Sequence, residues 1–357
     1  MNTHMSSDRC ILYLYTEAMG YTTATIDALI KQGWQVTLVQ WDHKKLTPHS
    51  IEKRAGLTVH NRSAHDFRSL IRLARELSPK ALIVSGWQDW SYLPVCFLMR
   101  RQQVPVLVGF DDQWFGTIRQ IFGSLLGKAR ILSLFFSHAW VAGDRQFEFA
   151  SRLGFSFNNI VFDCLSADTK IFRPPSETEL MERVTRKSIK YIYVGRLEEV
   201  KGVDILLEAW NHLTKVAPNS ELLIVGAGSM TESFTNVKNV TVIPFADPSV
   251  VRSYMIQADC AVVPSKTDAW GVVVHEFACC GLPIISADCV GANSRLVIHK
   301  HNGLIFRTHD AHSLLATFLM FEEITVETRK KMGERSVVMS TRISSETSAA
   351  NVLAAIK

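Results

Sequence analysis

No stretch of this 357-residue chain stays apolar for the about 20 residues that a membrane-spanning helix needs. The longer apolar runs, such as Ile11–Tyr15 and Leu93–Met99, stop far short. The N-terminal segment Met1–Arg9 is polar and lacks the apolar core of a signal peptide. Cysteine is scarce and scattered: seven residues, at 10, 96, 164, 260, 279, 280 and 289. An odd number excludes a complete disulfide framework, and adjacent Cys279-Cys280 is not metal-ligand spacing. Free thiols in a reducing cytosol are expected, and with them a cytoplasmic location. No DNA- or RNA-binding motif is present and the basic residues are dispersed, so no nucleic-acid partner is expected.

What is present is an ordinary globular composition, 47% hydrophobic and 20% charged, on a chain long enough for two sizeable cores. The net charge of +5 is uneven. Residues 1–173 hold 20 Lys/Arg against 14 Asp/Glu, while 174–357 hold 19 against 20. The basic first half is compatible with an anionic membrane surface or acceptor, and equally with a solvated basic face.

Strand and helix signals alternate. Compact β runs at Ile11–Tyr15, Gly33–Val39, Ala81–Val84, Val104–Val108 and Ala139–Val141 are interleaved with helical spacing over Thr23–Gln32 and Phe67–Leu77. The pattern restarts after Phe172-Arg173-Pro174-Pro175. Strands are expected at Ile189–Val194, Leu222–Gly226, Val240–Ile243, Cys260–Val263 and Pro283–Ser286, with a helix over Asp204–Leu213. This is an α/β chain with two Rossmann-like domains, joined near residues 173–188, whose ligands belong at the carboxyl ends of the strands.

Three stretches carry candidate chemistry. Pro264–Glu276 places Asp268 and Glu276 eight residues apart around Trp270-Gly271, where a polar loop enters an apolar helix. Such a helix start offers free N–H groups and a positive dipole end to an anion, and the acids can accept from hydroxyls. Phosphate plus hydroxyls outlines a nucleotide-sugar. Gly195–Gly202 follows the first strand of the second half. Arg196 and Lys201 can clamp a diphosphate there, or pair with Glu198, Glu199 or Asp204. Val225-Gly226-Ala227-Gly228-Ser229 is a strand-to-glycine loop without the full dinucleotide signature. Phe245, beyond the next strand, suits a base or a core.

These pieces in this order resemble the retaining glycosyltransferases of family 4, with the GT-B fold. The interdomain stretch Leu165–Pro174, with Asp168 and Phe172, also looks like that family's, as does the turn Asn302–Phe306. The resemblance spans about residues 160–310 and is only general before that. It implies two Rossmann-like domains facing across a cleft: residues 1–172 for the acceptor, 173–335 for the nucleotide-sugar, and a C-terminal helix in 336–357 packing back on the first.

By the same resemblance Glu276 holds the ribose. Asp268, Ala269, Trp270, Gly271 and Val272 meet the donor sugar and phosphate, and Gly195 and Gly226 line the nucleotide. Arg196 and Lys201 neutralise the leaving diphosphate. No cofactor and no metal are expected, because cations take that part and no Asp-x-Asp motif stands in context. The sequence departs from the family at Asp268, where Glu is usual, and at Gly291–Arg295, where a cation replaces an acid. A third departure is at Gly109–Trp114, where Asp111 or Asp112 stands near an expected His. Either aspartate could take an acceptor proton or cap a turn.

The implied reaction is transfer of a sugar, with retention, to a glycan, lipid-linked or small-molecule hydroxyl, as in lipopolysaccharide or exopolysaccharide assembly. A GT-B epimerase or phosphorylase, or a non-catalytic nucleotide-sugar binder, is the alternative. On the acceptor side Gly20, Trp87 and Trp114 follow strands and could shape a pocket. Phe115–Phe136 interleaves apolar residues such as Ile118, Ile121, Phe122, Leu125, Ile131 and Phe136 with Arg119, Lys128 and Arg130. It could lie on the inner face of an anionic membrane or simply face the core.

Overall fold

A computed structural model describes residues 9–42, 51, 54–179 and 188–357. Residues 1–8 of the polar N-terminus and 180–187 of the linker-like stretch lie outside the described residues. The chain forms two units: Met1–Ser166 together with Ile343–Lys357, and Ala167–Arg342. The divisions thus fall at 166/167 and 342/343, against the 172/173 and 335/336 expected from sequence.

The first unit holds a parallel sheet of β1 (Cys10–Tyr15), β2 (Gln35–Gln40), β3 (Leu57–Asn61), β4 (Ala81–Ser85), β5 (Val106–Phe110), β6 (His138–Val141) and β7 (Ile160–Val161). Their order is β3-β2-β1-β4-β5-β6-β7. Every residue of β1 is buried, as a strand covered on both faces requires. Ile11 pairs with Val36 on one side and Ala81 on the other, so the order reverses between β1 and β4. A parallel sheet opens a crevice at that switch point.

The crossovers are α1 (Gly20–Lys31), α2 (Phe67–Leu77), α3 (Leu93–Arg101), α4 (Ile118–Lys128) and α5 (Asp144–Arg152). Helix α2 starts where Asp66 accepts from the Ser69 N–H at 2.7 Å.

The second unit repeats the plan with β8 (Lys190–Val194), β9 (Glu221–Val225), β10 (Val240–Ile243), β11 (Cys260–Val263), β12 (Ile284–Ala287) and β13 (Gly303–Phe306). The order β10-β9-β8-β11-β12-β13 puts its switch between β8 and β11. Its helices are α6 (Val203–Val216), α7 (Pro248–Met255), α8 (Val272–Cys279), α9 (Asn293–Leu296), α10 (Ala311–Glu322) and α11 (Val326–Ser340). Trp210, Tyr191, Phe318 and Phe321 form an aromatic core under β8, with Tyr191 and Phe318 centroids 4.9 Å apart.

The last helix, α12 (Ser345–Ala355), belongs to the first unit. It opens with a capping box between Ser344 and Thr347. It packs on α1, where the Thr25 hydroxyl donates to Ser348 Oγ at 3.4 Å, and Asn351 Nδ2 donates to Asp163 Oδ2 at 3.1 Å.

Candidate active site

In the second unit, the candidate residues gather at the carboxyl ends of β8, β9 and β11. Gly195 and Gly226 end β8 and β9 side by side. The Gly195 N–H donates to Val225 O at 3.1 Å, and Leu197 N–H to Ala227 O at 3.0 Å. A Cβ built on Gly226 would lie 1.9 Å from Gly195 O, so the two loops fit only because a side chain is missing. Glu198 ties the loops together, accepting from Ser229 N at 3.0 Å and Ser229 Oγ at 2.7 Å. The Tyr193 hydroxyl donates to Arg196 O at 2.7 Å and fixes the turn on which Arg196 stands exposed.

We expect Gly226→Ala to lose about 1–3 kcal/mol of stability in the second unit, as overpacking does. Chemical denaturation checks this, and wild-type stability would show that the loops have room to part.

The next loop brings Lys201 to Asp268. Lys201 Nζ lies 2.8 Å from Asp268 Oδ2, and that same oxygen accepts from Ser265 Oγ at 3.1 Å. Neither Glu198, Glu199 nor Asp204 takes Lys201. Glu199 and Asp204 are held instead by Lys266, at 2.8 and 2.7 Å, a residue that sequence reasoning passed over. Gly202 closes the loop onto β11, where a Cβ would sit 1.9 Å from Pro264 O. The structure therefore joins the two charged candidates, a cation and an acid, through a close backbone contact.

Residues 268–271 then rest on the turn after β12. The Gly291 N–H donates to Asp268 O at 3.1 Å, and Ala292 N–H to Trp270 O at 2.8 Å. Trp270 is 1% exposed, and its Nε1 has no hydrogen-bond partner among the described residues. Gly271 caps α8 with φ +86°, which a side chain would strain. Helix α8 thus presents the N–H groups of Val272 and Val273 at its start, suited to a phosphate.

One turn on, Glu276 is partly buried, and desolvation pushes its carboxyl up to about 7. Among the described residues it has no ion-pair partner, so its cost of ionisation is unrelieved until a donor group arrives. Phe245 follows β10 and is 61% exposed, an aromatic face free to stack. Arg295 sits in α9, partly buried.

His275, also unnoticed in the sequence, is fully buried. Its Nδ1 accepts from the Ala167 N–H at 2.8 Å, and its Nε2 donates to Ser340 O at 3.0 Å. Those partners fix the neutral tautomer, and burial lowers its pKa to about 4. The unfolded chain takes up a proton near 6.5 while the folded one resists until about 4. His275 therefore contributes stability above 6.5 that is lost as pH falls from 6.5 toward 4. We expect the melting temperature to fall over that window and the fall to flatten in His275→Gln. An unchanged slope in the variant would assign the loss elsewhere.

The first unit has its own cavity, of about 310 Å³, at the carboxyl ends of β1, β4 and β5. Trp87, Asp111, Asp112, Glu17, Tyr21 and Arg119 are among its lining. Trp87 packs on Phe110 at 5.6 Å. Burial raises the Asp112 carboxyl, partly offset by Arg119. Trp114 does not line the cavity; it packs on Phe149 at 6.0 Å beneath the Arg152 guanidinium at 4.7 Å. Gly20 is the first residue of α1, in open space, and is not among the lining either.

Residues 178–337 match the family model described as glycosyl transferases group 1. Among curated relatives, an uncharacterized glycosyltransferase of Haemophilus influenzae is 30% identical over 168 residues, 45% of each chain. A D-inositol 3-phosphate glycosyltransferase of Jonesia denitrificans is 31% identical over 132 residues, 33% of this chain and 31% of that one. These alignments span less than half the length of either relative. Among solved structures, sucrose-phosphate synthase of Thermosynechococcus elongatus aligns with a TM-score of 0.76 at 17% identity, covering 97% of this chain and 98% of that one. Anabaena HepE, solved with UDP and glucose, aligns at 0.70 and 15%, covering 96% and 98%. The fold of the chain is GT-B, and most of its second unit matches the glycosyl transferases group 1 model.

Proposed function

We propose that this protein is a group 1 glycosyltransferase that moves a sugar from a nucleoside-diphosphate donor to an acceptor hydroxyl, with retention and without a metal ion. The observation that carries this reading is the junction of Lys201 with Asp268 beside the start of α8, inside the matched region. Arg196, Lys201 and the first N–H groups of α8 would take the diphosphate. Asp268 would face the sugar, Glu276 the ribose hydroxyls and Phe245 the base. A solved neighbour, Anabaena HepE, holds UDP and glucose, which supports a donor of that class here.

In the reaction the bond from the anomeric carbon to the phosphate oxygen breaks, and its electron pair leaves with the diphosphate. The acceptor oxygen bonds to the same carbon from the face the diphosphate leaves, and its proton passes to a leaving phosphate oxygen. No protein nucleophile is required. Arg196 and Lys201 act by stabilising charge that grows on the diphosphate, a term that is often the largest in catalysis. The first unit's cavity, with Trp87 and the Asp111-Asp112 pair, suits an acceptor sugar ring. Glycan or glycolipid assembly in the cytoplasm is the setting that such a reaction fits.

The deciding experiment screens UDP-, GDP- and ADP-sugars for hydrolysis and transfer, with and without a chelator. Turnover that survives the chelator, giving a product of unchanged anomeric configuration, is expected. If no nucleotide-sugar binds or turns over, the reading fails; an inverted product overturns the stereochemistry alone.

A further inference from the structure

We propose that the outer face of α4 in the first unit is a docking surface for an anionic lipid bilayer. The sequence left two options for Phe115–Phe136, a core-facing helix or a membrane face, and the core-facing option fails for α4. Of its eleven residues only Gly127 is buried. The helix lies on the rest of the unit through its small side: a Cβ on Gly127 would meet Leu153 O at 2.0 Å, and one on Gly123 would meet the Leu153 side chain at 3.3 Å. Its large side chains point the other way. Ile118 is 88% exposed, Phe122 61%, Leu125 56% and Ile121 47%, with Phe115 and Leu134 exposed on either flank.

Globular helices normally bury such residues and expose their small or polar ones. Here the arrangement is reversed, which leaves an apolar patch with no cover among the described residues. The charge pattern says what would cover it. From Gln113 to Gly143 there is no Asp or Glu, while Arg119, Lys128 and Arg130 are all exposed on or beside the helix. Apolar side chains set beside Lys128, Arg130 and Arg119, the last of which also faces Asp112, fit the boundary between acyl chains and anionic headgroups.

The helix is also built before any partner arrives. Thr117 and Gln120 form a capping box, and Gln120 accepts from Phe115 N–H at 2.8 Å and donates to Gln113 O at 2.7 Å. Binding therefore needs little new order. Arg119 stands both on this face and in the lining of the 310 Å³ cavity, so a docked α4 would hold the cavity against the lipid surface. That favours an acceptor carried by a lipid, a corollary that rests on the transfer reading; the docking itself does not.

The full chain is sedimented with vesicles of phosphatidylcholine, alone or mixed with phosphatidylglycerol. Binding to the mixed vesicles that weakens as salt rises is expected. Ile121→Ser/Phe122→Ser/Leu125→Ser should reduce bound protein at a fixed lipid concentration by about tenfold or more. Lys128→Glu/Arg130→Glu should abolish the preference for the mixed vesicles. These side chains are exposed, so both variants should melt like the wild type. Equal binding to both vesicle types, no binding, or unimpaired binding by the triple-serine chain would overturn the proposal. So would a dimer in solution that the same serines dissolve, which would show that a second copy covers the face.

Discussion

Lys201→Ala should lower kcat/KM for the nucleotide-sugar by about 10²–10³, while Lys201→Arg should keep a measurable part of it. The magnitude is typical for loss of one preorganised charge contact in a closed site. The geometry explains why the effect should appear in turnover. Lys201 follows β8 in a loop closed by Gly202 against Pro264, and its ammonium already lies 2.8 Å from Asp268. A diphosphate arriving there meets a cation held in place, with no side-chain ordering left to complete. The competing explanation is a merely structural ion pair. Lys201 is only partly exposed and its ammonium contacts Asp268, so stability should be measured alongside rate. A loss of rate at an unchanged melting temperature supports the catalytic role. Activity within threefold of wild type would defeat it.

Glu276→Gln should do two opposite things. Donor affinity should fall about a hundredfold, because two hydrogen bonds from ribose hydroxyls to a charged acceptor become bonds to a neutral one. Stability above neutral pH should rise. The folded carboxyl titrates near 7, above its ordinary 4.5. Its contribution is therefore fully present below 4.5 and lost as pH rises through 7, where the folded state must hold a desolvated charge. Removing that charge should gain on the order of 2 kcal/mol at pH 8. Wild-type donor affinity should strengthen as pH rises through 7, and the variant's should stay flat. Isothermal titration and thermal melting at pH 6 and 8 separate the two effects. Donor affinity unchanged in the variant would remove Glu276 from the ribose role.

Much of the second unit is legible in its sequence. β8 and β9 each run into a glycine and β11 into Pro264-Ser265, and the apolar runs are clean, so β8, β9, β10 and β11 fall within a residue or two of where they are expected. The charged candidates stand on the loops after those strands, and a parallel sheet brings such loops to one edge.

What stays hidden is the pairing. Nothing in the order of the residues says that Lys201 takes Asp268 while Lys266 takes Glu199 and Asp204. That choice depends on a backbone contact between Gly202 and Pro264, more than sixty positions apart. His275 is hidden for a similar reason, since both its partners are main-chain atoms that a sequence pattern does not mark. In the first unit α1 begins at Gly20, three residues before its periodic pattern, because Met19 caps it without a side-chain bond and leaves no signature. The exposure of α4 is invisible to periodicity, which reports that a face is apolar and not which way it points.

The return of α12 to the first unit has a consequence for biosynthesis. A ribosome delivers the first 166 residues and then, at roughly 5–20 residues per second, needs about 10–35 seconds to add the 176 that precede Ile343. Throughout that interval the nascent first unit lacks the helix that covers α1, while the second unit is complete in sequence just before it. The unit begun first is therefore the one finished last, and a tag or truncation at the C-terminus acts on the N-terminal half of the protein.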